Sequence, residues 1–401
     1  MPPNLRYSAA KTSIVNKRPY TSNSKQAWKL HRGNILNQGK ASKPKKANLF
    51  ASSPKSDKKE ESKSLEIEDF DVHLDYQILG DDDLVTAVDK ILKNQWSESN
   101  TLKNRYFSRQ EIANATNDED LLFSIKGIAL KTKAEIVKYR KSQLPYGMVT
   151  INQLYSIYEH QGQTFVDKNL ELNIRKGKLK KFIITNAAPV IQRSQQVFQH
   201  GKVTYGYENV ELVVKTDTYL DRIKHQIETY SEASKNDITP PSEREIALSY
   251  TESLQKFLSF VVANPTSLFV TVNDVLQQKH LSDLVALGYM TLTSNHMNEI
   301  ESQYSISFPN CGTYLKLVNS GRVWLVKTLN KTKHKELLEE DLFNRWEGQP
   351  NSFTAAPKYT NFRPPFYGYD LIWILADALG AGVIEVFNTP VGRGWHLTGK
   401  V

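Results

Sequence analysis

The chain has 401 residues, 39% hydrophobic and 24% charged, enough for two or three small domains. No apolar run approaches the roughly 20 residues of a membrane-spanning helix, and the single cysteine, Cys311, excludes an intrachain disulfide and a cysteine-based zinc site and fits a reducing compartment. The formal charge is +9, yet residues 1–64 hold 15 Lys/Arg against 3 Asp/Glu, a net of +12, so the other 337 residues carry 9 − 12 = −3 and the basic character belongs to the N-terminal stretch.

Residues 1–64 are rich in Ser, Asn, Lys and Pro and bury too little to offset chain entropy, which predicts a disordered basic tail. "NKRP" (16–19) and "KPKK" (43–46) have the form of nuclear-import signals and attract phosphates; a solubilising tail fits the same composition. The stretch lacks the apolar core of a secretory signal, and its prolines and missing amphipathic period argue against a mitochondrial presequence. Ser53-Pro54-Lys55 is a phosphorylation tripeptide of a common kind. Over 66–83 the charge reverses, and "GDDD" ahead of "LVTAVDKILKNQW" puts carboxylates where a helix begins.

Helical periodicity predicts helices over 83–96, 108–115, 118–142, 150–160 and 164–176, then strands 178–184 and 209–215 and a helix over 217–232. "SKNDITPPSE" (234–243) is a linker. A second unit holds a helix at 243–263, strand "LFVT", a short helix "VNDVLQQK", a helix at 280–287, and strands 289–293 and 304–308. A third holds a long helical stretch over 311–346, a Pro-rich loop, a helix at 368–379, strand 383–387, the tight loop "NTPVGRG" and strand 395–398.

One phrase recurs. "NLELNIRKGKLKKFII", "HLSDLVALGYMTLT" and "LIWILADALGAGVIEVF" each run a helix into a glycine, Gly177, Gly288 or Gly382, and then into strand-like alternation. The glycine suits a left-handed helix stop. Helix, short strand, two helices, strand, loop, strand is the order of a winged helix. The expected architecture is α+β, mainly α: three tandem winged-helix domains behind a disordered tail, with boundaries 1–64, 65–233, 243–310 and 311–401.

Specific segments carry a resemblance. "LPYGMVTINQLYSIY", "TFVDKNLELNIRKGKLKKFII" and "VELVVKTDTYLDRI" resemble the first winged helix of the family named serine/threonine-protein kinase 19. "LQKFLSFVV", "HLSDLVALGYMTL" and "YSISFPNCGTYLKLVNSGRVWLVKTLNKTKHKELLEEDLFNRW" resemble its second winged helix and the helix after it, and "YDLIWILADALGAGVIEVFNTPVGRGWHLTG" its third. The likeness covers roughly 140–401, with insertions near 185–208, 230–245 and 347–364. Despite the name, the chain has no G-x-G-x-x-G, no His-Arg-Asp loop and no Asp-Phe-Gly, the parts phosphoryl transfer needs. The resemblance implies a non-enzymatic, nuclear, DNA-binding protein without cofactors, acting in transcription-coupled nucleotide excision repair. Its implied partners are double-stranded DNA, RNA polymerase II, repair factors and the general transcription factor TFIIH. A second copy of the chain is also among them, with no surface assigned, and no membrane.

The residues offer candidate contacts of their own. "KLVNSGRVWLVKTLNKTKHK" (316–335) has six Lys/Arg and no acid. On one helix over 323–346, Lys327, Lys331, His334 and Lys335 share a face and Arg345 returns to it, with Lys316 in phase only if Gly321 does not break the helix. Such a stripe can track a phosphate backbone. The candidates are Lys316, Arg322, Lys327, Lys331, Lys333, Lys335 and Arg345; the resemblance places several at or beside basic family positions, with Asn330 a departure. A solvated face with Glu336, Glu339 and Glu340 as partners fits the same pattern. Arg393, between glycines in "VGRGW", is expected at a wing tip, where it can meet DNA. "RKGKLKK" supplies a weaker group, Arg175, Lys176, Lys178, Lys180 and Lys181, read as nucleic-acid contacts or as solvated. Trp324, Trp346 and Trp373 fall at core spacing, Cys311 reads as a small packed residue, and the histidines form no metal pattern. The alternative is a protein–protein adaptor whose folded body does not touch DNA, which the near-neutral body favours.

Overall fold

The computed structural model describes Tyr76 and residues 83–103, 105–115, 117–190, 206–236, 240–271, 276–293, 303–349 and 358–399, by backbone alone at 185–190, 206–208, 292, 293 and 303. The expectations for the tail, for Ser53 and for the first half of the helix over 272–279 lie outside these residues; of its described half, Leu276 and Gln277 are not helical, and Gln278 opens the next helix. The described part is mainly helical with small antiparallel sheets, an α+β arrangement.

Leu84, Ala87, Val88 and Ile91 recur at helical spacing and form the buried stripe of α1 (Leu84–Lys93). Asp83 precedes it. Partial burial opposes the charge of its carboxyl, but hydrogen bonds from Asn173 (2.8 Å) and Lys178 (3.4 Å) outweigh that and hold its pKa below the usual range. Ser108 and Glu111 form a capping box that starts α2 (Arg109–Asn114). The single helix expected over 118–142 is two, α3 (Asp118–Ser124) and α4 (Leu130–Ser142), parted where Gly127 takes φ +93°.

Three copies of one pattern follow. In the first, β1 (Met148–Thr150), α5 (Ile151–Ile157), α6 (Gln163–Arg175), β2 (Leu179–Val190) and β3 (Gly206–Lys215) give a sheet of order β1-β3-β2. Helices α7 (Thr216–Lys235) and α8 (Pro241–Ala263) lead to β4 (Phe269–Thr271), α9 (Gln278–Ala286), β5 (Met290–Thr293) and β6 (Gln303–Ile306), of order β4-β6-β5. Then α10 (Cys311–Leu329), β7 (Glu336–Leu338), α11 (Glu339–Glu347), α12 (Leu371–Gly380), β8 (Ile384–Thr389) and β9 (Gly392–Leu397) close with order β7-β9-β8. In each sheet the first strand pairs with the last, which chain order alone does not specify.

The repeated glycine has a measured geometry. Gly177, Gly288 and Gly382 have φ of 69°, 80° and 69°. Each amide donates three residues back, to Ile174, Val285 or Leu379, and the next amide donates five back, to Asn173, Leu284 or Ala378. This pair of bonds is the Schellman stop, which satisfies the carbonyls a helix end leaves open.

The expected helix over 311–346 is also corrected. Helix α10 ends at Leu329, Lys335 takes φ +57°, and Glu336–Leu338 pair as a strand with His396, Trp395 and Gly394. Pairing with β9 removes these residues from the helix.

One continuous apolar core runs from Tyr76 through Trp395. Helix α12 lies against α5 with Gly380 at the crossing, where a Cβ would overlap the Asn152 carbonyl. Gln153 on α5 donates to the Trp373 carbonyl (3.2 Å) and the Tyr369 hydroxyl (3.0 Å), and Trp373 Nε1 donates to the Asn94 carbonyl (2.7 Å). Tyr76 stacks on Trp373 at 5.7 Å. Trp346 and Trp373 are buried, as their spacing predicts, while Trp324 is half-buried and packs edge-on against Trp346 at 4.7 Å.

Candidate nucleic-acid interface

Residues three and four apart give helix α10 two faces: Tyr314, Leu315, Leu317, Val318, Gly321 and Leu325 are buried, while Lys316 and Lys327 are exposed. Eleven residues advance an α-helix by about 1100°, within about 20° of three full turns. Lys316 and Lys327 therefore stand in line, about 16 Å apart along the axis. Gly321 does not break the helix. It lets α12 approach, since a Cβ there would overlap the side chain of Ile374.

Beyond Leu329 the shared helical face no longer exists, so Lys331, His334 and Lys335 do not continue the stripe by azimuth. They are nevertheless exposed, as is Lys333, all on the turn between α10 and β7, and Arg345 is exposed on α11. None of Lys316, Lys327, Lys331, Lys333, Lys335 and Arg345 has an ion-pair partner among the described residues.

Two of the neighbouring acids are committed elsewhere, while Glu336 and Asp341 are exposed without an ion pair among the described residues. Glu339 pairs with Lys103 and accepts from Trp395 Nε1 at 2.9 Å. Arg105 binds Glu340 at 3.0 Å and also pairs with Glu347. Lys103 and Arg105, which sequence periodicity does not single out, therefore neutralise carboxylates expected to partner the 331–335 lysines. Lys103 lies 236 residues before Glu339, and no local pattern connects them.

Three candidates are placed differently from expectation. Arg322 points inward, its Nη2 2.5 Å from buried Asp377, which also accepts from Thr150 Oγ1 at 2.8 Å. Arg393 is one pair back from the hairpin tip: Thr389 pairs with Gly392, so Pro390 and Val391 form the turn. Its side chain is 12% exposed, 3.7 Å from Glu339, and burial lowers its pKa from the ordinary guanidinium value. Lys180 is 1% exposed, and its Nζ donates to the carbonyls of Pro265 (3.0 Å) and Ser267 (2.9 Å); burial pushes its pKa down to about 8. The face opposite Leu179 is thus covered by the second repeat at Lys180, while Lys178 stays exposed.

The rest of that group is peripheral. Arg175 pairs with Glu171 at 2.9 Å, Lys178 with Asp83 at 3.4 Å and Lys181 with Glu211 at 3.2 Å, while Lys176 is exposed. No group of three His, Cys, Asp or Glu suited to a metal occurs among the described residues.

A separate groove of about 910 Å³ lies among α1, α4, α7 and residues 308–310. Leu92, Trp96, Leu144 and Phe308 contribute apolar lining, and Lys93 and Arg222 contribute charge.

The family model described as inactive serine-threonine protein kinase 19 matches residues 119–397. The serine/threonine-protein kinase mug51 of Schizosaccharomyces pombe is 27% identical over 145 residues, 36% of this chain and 42% of that protein. Winged helix repair factor 1 of Dictyostelium discoideum is 21% identical over 293 residues, 69% of this chain and 66% of that protein. The chain spans less than two thirds of the length of either relative.

Proposed function

The chain belongs to the inactive serine-threonine protein kinase 19 family, and from that premise we propose that it is a non-enzymatic nuclear protein of three tandem winged helices that binds duplex DNA through its phosphates and scaffolds transcription-coupled nucleotide excision repair. The observation that carries the DNA reading is the set of exposed, unpaired cations at Lys316, Lys327, Lys331, Lys333, Lys335 and Arg345, which outnumber the exposed acids Glu336 and Asp341 beside them, Glu339 and Glu340 being neutralised by Lys103 and Arg105. Such a surface suits phosphate contact.

The third helix of each repeat argues against base readout. Among its residues α12 has none that is exposed, α9 offers Lys279 alone as an exposed cation, and the exposed side of α6 carries Asp167 and Glu171 beside Lys168 and Arg175. Helices with so few free cationic side chains have little with which to hold phosphates or guanine edges in a groove. The repair role and the partners RNA polymerase II and TFIIH rest on family resemblance; a relative named a winged helix repair factor supports the repair reading. The missing kinase motifs and the family's description as inactive support the non-enzymatic reading, although one relative carries a kinase name.

The test is affinity for several duplexes of unrelated sequence, using the full chain and a chain starting at Ser64. Affinities within about threefold of one another, retained without the tail, are expected. Loss of all binding with the tail would favour the adaptor reading, which the groove among α1, α4 and α7 supports as a site for a peptide of a partner protein.

A further inference from the structure

Among the described residues from Asn94 to Phe107 there is no helix or strand beyond one bridge, Trp96 to Tyr369. Side chains fix the course instead. Asn94 Oδ1 accepts from the amide and the hydroxyl of Thr101, both at 2.7 Å. Asn100 Oδ1 accepts from the amides of Leu102 (2.8 Å) and Lys103 (3.3 Å). Such bonds from asparagine hold a turn without a ladder. Asn361 donates to the Tyr106 hydroxyl at 2.9 Å, and Tyr106 packs edge-on against Phe362 at 5.4 Å. Lys103 and Arg105 lie between these anchors and are set against α11.

Arg105 meets one stripe of α11, Glu340, Phe343, Asn344 and Glu347, which recur at the spacing of a single helix face. Its guanidinium donates to both carboxylate oxygens of Glu340 at 3.0 Å, to Asn344 Oδ1 at 3.1 Å and to buried Glu347, and lies 5.0 Å from the Phe343 ring centre. Lys103 pairs with Glu339 and stands 4.4 Å over the same ring. Arg345 lies on the opposite side of α11, exposed. The clamp therefore holds the acids of one face and leaves the cation of the other open.

Residues 331–347 hold four Lys/Arg against five Asp/Glu, a net of −1, and Lys103 and Arg105 turn that to +1. The sign of this surface thus rests on two cations from outside it. From Lys335 to Glu339 the backbone spans at most about 14 Å, comparable with the Debye length of about 10 Å at 0.1 M salt, so an uncompensated carboxylate at the start of α11 is felt at the 331–335 turn. Resting on the duplex reading of the 316–345 surface, we propose that Lys103 and Arg105 are positioning residues for duplex binding: without touching the duplex, they neutralise α11 so that the field over Lys331, Lys333, Lys335 and Arg345 attracts phosphates.

The experiment measures affinity of the full chain for a 30-base-pair duplex at about 0.1 M and about 0.3 M salt, with urea unfolding beside it. The variants are Arg105→Gln, Arg105→Lys, Glu340→Gln, and Arg105→Gln with Glu340→Gln. Lys103→Gln is added because it leaves Glu339 with Trp395 and Arg393, and so keeps the test open if loss of Arg105 prevents folding. Arg105→Gln is expected to bind about fivefold more weakly at the lower salt and less than about twofold more weakly at the higher, where screening shortens the reach of Glu340. Adding Glu340→Gln should bring affinity back to within about twofold of the unaltered chain, although it supplies no cation. Arg105→Lys should recover most of the affinity while losing as much stability as Arg105→Gln, because lysine carries the charge without the fork. Lys103→Gln should weaken binding about threefold. Unchanged affinity in Arg105→Gln and Lys103→Gln, or a loss that neither Glu340→Gln nor salt diminishes, would overturn the positioning role alone, provided that the form carrying Lys327→Glu, Lys331→Glu, Lys333→Glu and Lys335→Glu does lose binding. If that form binds the duplex as the unaltered chain does, the duplex reading itself falls.

Discussion

At Lys180 an ammonium sits between β2 and the turn at 265–267, donating to two carbonyls and almost wholly shielded from water. Burial penalises its charged form, so its pKa in the fold, about 8, lies below its ordinary 10.5. Between those values the unfolded chain binds more protons than the folded one, so stability rises with pH across that window, by at most about 3 kcal/mol. A neutral amine keeps two N–H donors for the two carbonyls. Comparing the unaltered chain with Lys180→Met by urea unfolding from pH 7.5 to 10 should show the difference shifting toward the unaltered chain. Parallel curves would contradict the assignment. Arg322 and Asp377 make the matching point about charge pairs. Asp377→Ala leaves Arg322 facing a largely buried gap and should cost about 3–5 kcal/mol in the same assay.

Among the elements, the helix crossings depend on two glycines with unequal neighbours. At Gly380 a Cβ meets the backbone of Asn152, which cannot turn aside; at Gly321 it meets both branches of buried Ile374, a side chain that must repack. Gly380→Ala is expected to cost about 3 kcal/mol. Gly321→Ala should cost less, about 1 kcal/mol, because alanine's helix preference offsets part of the repacking. Equal losses on urea unfolding would contradict this account. The glycine stops are readable from sequence because Gly177, Gly288 and Gly382 act through local backbone geometry. The breaks at 125–129 and 330–335 are not: "SIKGIA" merges into a long helical period, and "NKTKHK" contains neither proline nor glycine, its end being set by β9 about sixty residues on. The same reason separates the placements that spacing foresees from those it does not. Lys316 and Lys327 follow from azimuth alone, whereas the partners of Lys180, Arg322 and Arg393 come from distant segments and follow no local spacing.

For the whole molecule, the contacts between α5 and α12, between Trp373 and Asn94, and between Lys180 and 265–267 bind the three repeats into one core. Calorimetry should give one unfolding transition, and removing residues 311–401 should abolish it by uncovering α5. Three separate transitions would contradict a shared core. On the proposed reading, that rigidity holds the cations of 316–345 in a fixed arrangement for a duplex, although the body as a whole is close to neutral. The most direct test is fluorescence anisotropy of labelled duplex DNA with the chain beginning at Ser64, over a salt series. The comparison is with the form carrying Lys327→Glu, Lys331→Glu, Lys333→Glu and Lys335→Glu. The account predicts steeply salt-dependent binding that the variant loses, with its log–log slope reduced by about 3 or more; equal affinity and slope in the two proteins would contradict it.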